Sequence, residues 1–118
     1  MESSIRQLGS YFNPSSVAVV GATKRINKAG HVIFKNFVDN KRRGVFKGEL
    51  YAVNPHEDYI LAFKCYPSLM NIVGDVELVV IVVPAENVPQ IMMEAAQKHA
   101  KAVVIISGGF GEVGNHEL

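Results

Sequence analysis

The chain has 118 residues, 48% of them hydrophobic and 19% charged, with a formal net charge of +1. That length supports one domain with a sizeable core rather than two, and the composition is globular rather than disordered. The near-neutral balance excludes a generic polyanion binder such as a nucleic-acid domain, which carries a strong basic excess, so any anion site must be local.

In chain order, Ile5, Leu8, Tyr11 and Phe12 recur at helical spacing and predict a short helix. Asn13-Pro14 ends it, because the residue before proline is pushed out of the α region. Ser16–Val20 is an apolar, β-branched run that suits a strand buried on both faces. Gly21 stops it abruptly, and Gly30 precedes an amphipathic helix pattern. Strand, glycine turn, helix is the layout that aims backbone N–H groups and a helix N-terminus at a phosphate. Gly21 permits a sharp turn and close approach of a ligand, and Ala22 is small enough not to obstruct it. Thr23 adds a hydroxyl, while Lys24, Arg25 and Lys28 add cations. The loop matches neither the dinucleotide fingerprint G-x-G-x-x-G nor the P-loop G-x-x-x-x-G-K-[ST]. Two readings therefore stand at this point: a phosphate-binding loop, and a tight turn with a solvated basic loop. Under the first, Gly21→Val is expected to abolish ligand binding and leave the fold largely intact.

The next helix is predicted from about Lys28 to Asn40, with Val32, Ile33, Phe34, Phe37 and Val38 on its covered side. Lys41-Arg42-Arg43-Gly44 reads as its C-terminal cap rather than as a ligand site. Glu49–Val53 is a strand ended by Asn54-Pro55, and Tyr59–Phe63 a short or edge strand. A one-turn helix is expected from Ser68 to Ile72, and the strongest strand signal is Glu77–Val83, ended by Pro84. A helix from about Glu86 to His99 carries Val88, Ile91, Met92, Ala95, Ala96 and His99 on one stripe, with Pro89 in its first turn. Ala102–Ile106 is a further strand, followed by a second glycine-rich loop, Ser107-Gly108-Gly109-Phe110-Gly111-Glu112.

Alternating strands and helices predict an α/β fold: a Rossmann-like, doubly wound parallel sheet in three αβα layers. Ligands in such folds sit outside the C-terminal strand ends where strand order reverses. The loops at 21–30, 54–56, 84–87 and 107–112 are expected to meet there. A nicotinamide-binding domain usually places a carboxylate at the end of its second strand; Val53-Asn54-Pro55 has none, which counts against NAD. A ligand with a ribose phosphate, such as coenzyme A, suits the cations better.

The segments Phe12-Asn13-Pro14-Ser15-Ser16 through Gly21-Ala22-Thr23, then Tyr51-Ala52-Val53-Asn54-Pro55, Tyr66-Pro67-Ser68-Leu69, Val82-Val83-Pro84-Ala85 and Ile106-Ser107-Gly108-Gly109-Phe110-Gly111-Glu112 occur in this order. This arrangement resembles the N-terminal CoA-binding domain of NDP-forming acyl-CoA synthetases, such as ADP-forming acetate–CoA ligases, relatives of the succinyl-CoA synthetase α subunit. The resemblance spans Phe12 to Glu112. It implies that Gly21, Ala22 and Thr23, the cations after them and the helix start near Gly30 hold CoA phosphates. It implies that Val53, Asn54 and Pro55 lie against the adenosine, that Val83, Pro84 and Ala85 border the coenzyme, and that Ser107, Gly108 and Gly109 lie near its thiol end. The family often has a lysine just after the asparagine-proline pair; His56 and Glu57 stand there instead, leaving that contact to His56 or Lys64.

The resemblance further implies one CoA-binding domain over residues 1–118, a fragment of a larger enzyme. Its phosphoryl-carrying histidine, ATP or ADP, and Mg would belong to other domains or a β subunit, and this chain alone would be inactive. The partners implied are CoA and those remaining domains, with homo-oligomerisation an open option. No nucleic-acid or membrane partner is expected: no apolar run reaches the roughly 20 residues of a membrane span, and residues 1–6 lack the apolar core of a signal peptide. With a single cysteine, Cys65, no intrachain disulfide can form, so a cytoplasmic location is expected. Cys65 reads as a buried small hydrophobe, His99 as a boundary histidine, and no cluster has metal-ligand spacing. Rival readings are a CoA-sensing regulatory domain of a protein acetyltransferase, an NAD(P)-binding Rossmann domain, and a scaffold with an empty site.

Overall fold

The computed structural model of the chain describes residues 13–106. The helix expected over 5–12 and the loop over 107–112 lie outside the described residues. In chain order the elements are β1 (Ser16–Val20), α1 (Ala29–Arg42), β2 (Glu49–Val53), β3 (Tyr59–Ile60), β4 (Phe63–Tyr66), β5 (Leu78–Ile81), α2 (Val88–Gln97) and β6 (Ala102–Ile105). Short 3₁₀ turns occupy Leu69–Asn71 and Ala85–Asn87. The strands form one sheet in the order β3-β4-β2-β1-β5-β6. All pairings are parallel except β3 with β4. This is the doubly wound α/β fold expected.

β1 lies in the middle, with Val20 opposite Val53 on one side and Ile81 on the other. Successive side chains alternate faces. Val17 and Val19 pack with Ile33, Phe34 and Val38 of α1, whereas Ala18 and Val20 pack with Leu69, Ile72 and Ala95 across the sheet. A strand covered on both faces must be apolar throughout. Each fully buried valine contributes roughly 1.5–3 kcal/mol. No helix among the described residues is long and apolar enough to cross a membrane.

The structure departs from the sequence reading in three places. On α1, Val32 is 46% exposed and His31 is buried. At 100° per residue the sheet-facing rows run through Gly30, Ile33 and Phe37 and through His31, Phe34 and Val38, which leaves Val32 outside. Instead of one strand over Tyr59–Phe63 there is a hairpin, β3–β4, turned by Leu61 (φ +51°) and Ala62 (φ +71°). Finally, α2 ends at Gln97, so His99 is not on its apolar face. His99 sits at φ +61° beyond the helix, exposed, with Nδ1 2.9 Å from Asp75 Oδ1. Met92 also faces outward, and Lys98 is buried, its ammonium donating to the Ile72 carbonyl.

Candidate functional site

The chain leaves β1 at Gly21, whose N–H donates to Val53 O (2.9 Å) and whose φ is +101°. A Cβ there would lie 1.9 Å from the Val82 carbonyl oxygen, and one on Gly30 would lie 2.0 Å from the Gly21 oxygen. Both glycines are thus demanded by backbone packed against backbone, before any ligand is considered. The expectation that Gly21→Val leaves the fold largely intact is corrected: a side chain at 21 strikes the end of β5.

Four side chains then shape the loop. The buried His31, in the first turn of α1, places Nδ1 2.9 Å from the Thr23 carbonyl; since that oxygen can only accept, Nδ1 carries the proton. The Thr23 hydroxyl accepts from the Arg25 N–H (3.2 Å) and donates to Glu57 Oε2 (2.8 Å). The Lys24 N–H reaches both Glu57 oxygens at 3.1 Å. Asn54 joins the two strand-end loops: its Nδ2 donates to Ala22 O (2.8 Å) and its Oδ1 accepts from the His56 N–H (2.8 Å).

Around these bonds lies a cleft of about 760 Å³ at the carboxyl ends of β1, β2 and β5. It opens where strand order reverses, between crossovers that lie on opposite faces of the sheet. Of the residues proposed from the sequence, Gly21, Thr23, Arg25, Lys28, Gly30 and Asn54 line it, with Val83, Pro84 and Ala85 on the opposite wall. A neighbouring cavity of about 430 Å³ shares Gly21 and Asn54 with it and adds Val53 and Pro55 together with Pro67, Ser68 and Ile91. Ala22 lines neither cavity: it is fully buried beneath the loop, and its contribution is its carbonyl. Lys24 enters through its backbone N–H. Ser107, Gly108 and Gly109 lie outside the described residues. His56 lines both cavities, whereas Lys64 lies over the Tyr66 ring, 5.0 Å from its centroid.

The start of α1 has no side-chain cap and lies on the cleft wall, so its partial positive charge adds to that of Arg25 and Lys28. The Glu57 carboxylate is held by a hydroxyl and a backbone N–H, so two donors of this loop face an anionic oxygen group of the chain itself. Burial first, and the Glu57 charge second, push the buried Cys65 thiol up to about 11, which favours the protonated form. Sequence reasoning missed His31, a polar residue on the sheet-facing row of Phe34 and Val38, and the role of Glu57, which belongs to no periodic pattern or motif.

A family model described as "CoA binding domain" matches residues 15–117. The chain belongs to this family of CoA-binding domains. The domain is 46% identical over 110 residues to acetate–CoA ligase [ADP-forming] II of Archaeoglobus fulgidus, covering 93% of this chain and 16% of that protein. It is 45% identical over 105 residues to the ADP-forming acetate–CoA ligase of Methanocaldococcus jannaschii, covering 89% and 14%. Among solved structures, the Ca. Korarchaeum cryptofilum dinucleotide forming acetyl-coenzyme A synthetase 1, in complex with phosphate and ADP, aligns with a TM-score of 0.76 and 38% identity. That alignment covers 93% of this chain and 23% of that one. The CoA-binding domain thus spans less than a quarter of the length of each of these relatives.

Proposed function

We propose that this chain is the CoA-binding domain of an ADP-forming acyl-CoA synthetase, which converts acid, CoA and ATP reversibly to acyl-CoA, ADP and phosphate. The observation that carries this reading is the glycine loop with Arg25 and Lys28 walling a cleft at the strand-order reversal, in a chain 46% identical to a ligase that uses CoA. Its task is to grip the nucleotide end of the coenzyme and present the thiol. Thr23, the Lys24 N–H, Arg25, Lys28 and the start of α1 hold phosphate. The second cavity, walled by Val53, Pro55, Pro67 and Ile91, offers apolar surface for an adenine ring. ATP or ADP, Mg and the acyl-transfer chemistry belong to other domains or a partner subunit, and the cleft needs only to bind and orient CoA.

Isothermal titration of the 118-residue chain with CoA, NAD and NADP tests the reading. CoA is expected to bind and the nicotinamide dinucleotides not to. Arg25→Ala is expected to weaken CoA about fivefold, with the gap narrowing as salt rises, because an exposed cation acts through a screened charge. Tighter binding of NAD or NADP than of CoA overturns the assignment.

A further inference from the structure

We propose that Glu57 is a resident occupant of the anion cradle, a carboxylate that holds the loop until a phosphate group of the coenzyme displaces it. This rests on the CoA reading above. The Thr23 hydroxyl has one proton, given to Glu57 Oε2 at 2.8 Å, and the Lys24 N–H faces the same carboxylate at 3.1 Å from each oxygen. A phosphate oxygen entering the loop requires those same two donors. Two anions cannot share them, because like charges at hydrogen-bonding separation repel strongly in a partly buried site. Glu57 must therefore leave before phosphate is held.

The geometry allows this without unfolding. Asn54 pins the backbone on either side of the contact, through Ala22 O and the His56 N–H. The half-buried Glu57 side chain, flanked by exposed His56 and Asp58, can then swing outward to solvent while its backbone stays fixed. The carboxylate keeps the donors satisfied in the ligand-free domain and lowers apparent CoA affinity by the fraction of time the cradle is vacated.

Titration of CoA into the chain and into Glu57→Gln, Glu57→Ala and Asp58→Asn tests this, with circular dichroism to show that each variant is folded. Asp58 is exposed, one residue along, and lines neither cavity, so Asp58→Asn removes a nearby charge without touching the cradle. Glu57→Ala and Glu57→Gln are expected to bind CoA about tenfold tighter, and Asp58→Asn to stay within about twofold of the unmodified chain. 3′-Dephospho-CoA assigns the displacing group. A gain kept with it names the pyrophosphate, and a gain lost names the 3′-phosphate; either supports displacement. Unchanged or weaker binding in both Glu57 variants overturns the proposal, as does an equal gain in Asp58→Asn. A crystal structure with CoA bound and Glu57 still on Thr23 and Lys24 overturns it whatever the affinities. If neither the unmodified chain nor any variant binds CoA, the CoA reading itself fails and displacement with it. If the unmodified chain binds and the Glu57 variants gain nothing, displacement alone fails.

Discussion

The two ends of the sheet use the same kinds of polar bond for opposite purposes. At the amino end, the Ser15 N–H and the Lys101 ammonium both reach Glu77, at 2.9 and 3.1 Å, and the Ser16 hydroxyl accepts from the Glu77 N–H. Lys98 closes on the Ile72 carbonyl. Those bonds tie the starts of strands to one another. At the carboxyl end, Asn54, Thr23, Glu57 and His31 tie loops into a rim, and the rim surrounds a cleft of about 760 Å³. Polar residues alone therefore do not mark the site. What marks it is that their bonds shape backbone around space at the point where the crossovers diverge. If this contrast is right, substitutions at the carboxyl end change ligand binding, and those at the amino end change stability only.

The largest effect is expected where the two roles merge, at Gly21. Gly21→Ala puts a methyl group 1.9 Å from the Val82 carbonyl in a backbone conformation that disfavours any side chain. A cost on the order of 4 kcal/mol or more is expected, read by urea denaturation. A variant of ordinary stability that merely fails to bind CoA would return Gly21 to the narrower ligand-approach role read from the sequence.

Asn54 comes next and separates rim from core. Asn54→Ala strands the Ala22 carbonyl and the His56 N–H, and a loss of about 1–3 kcal/mol is expected. CoA affinity should fall about tenfold, since the loops that form the rim are no longer held in register. Asn54→Asp keeps an acceptor for His56 but loses the donor to Ala22. An affinity for CoA equal to that of the unmodified chain in both variants would show that the link between loops is structural only.

Much of this contrast was legible before the structure. β1, β2, α1 and the glycine loop follow from apolar runs ended by Gly21 and Asn54-Pro55. Such runs report burial, and burial on both faces is the signature of a central parallel strand. What stayed hidden has physical causes. The β3–β4 hairpin turns on Leu61 and Ala62, residues that carry none of the usual turn chemistry at positive φ. His99 keeps the period of its helix but falls two residues past its last turn. Glu57 stands where the resemblance leads one to expect a cation. The missing positive charge is legible in the sequence; the hydrogen bonds of the Glu57 carboxylate to Thr23 and Lys24 are not. That last contact is long-range in the chain and belongs to no repeat.

The smallest effect is expected at the amino end, and it carries the sharpest sign. The Ser15 N–H, and then the Lys101 ammonium, hold the Glu77 carboxyl below its usual range. A carboxylate depressed by folding adds stability above its unfolded value, near 4.5, and loses it as pH falls through the lower folded value. Glu77→Gln keeps an acceptor for Ser15 but loses the ion pair. At neutral pH its melting temperature should drop by about 1–2 °C, as for an ordinary surface pair. The gap should close below pH 4.5, where the native carboxylate protonates as well. At neutral pH the CoA affinity of Glu77→Gln should equal that of the unmodified chain. A gap that persisted in acid would mean that shape rather than charge matters at Glu77. A change in affinity would mean that the two ends of the sheet are coupled, contrary to the division argued from their geometry.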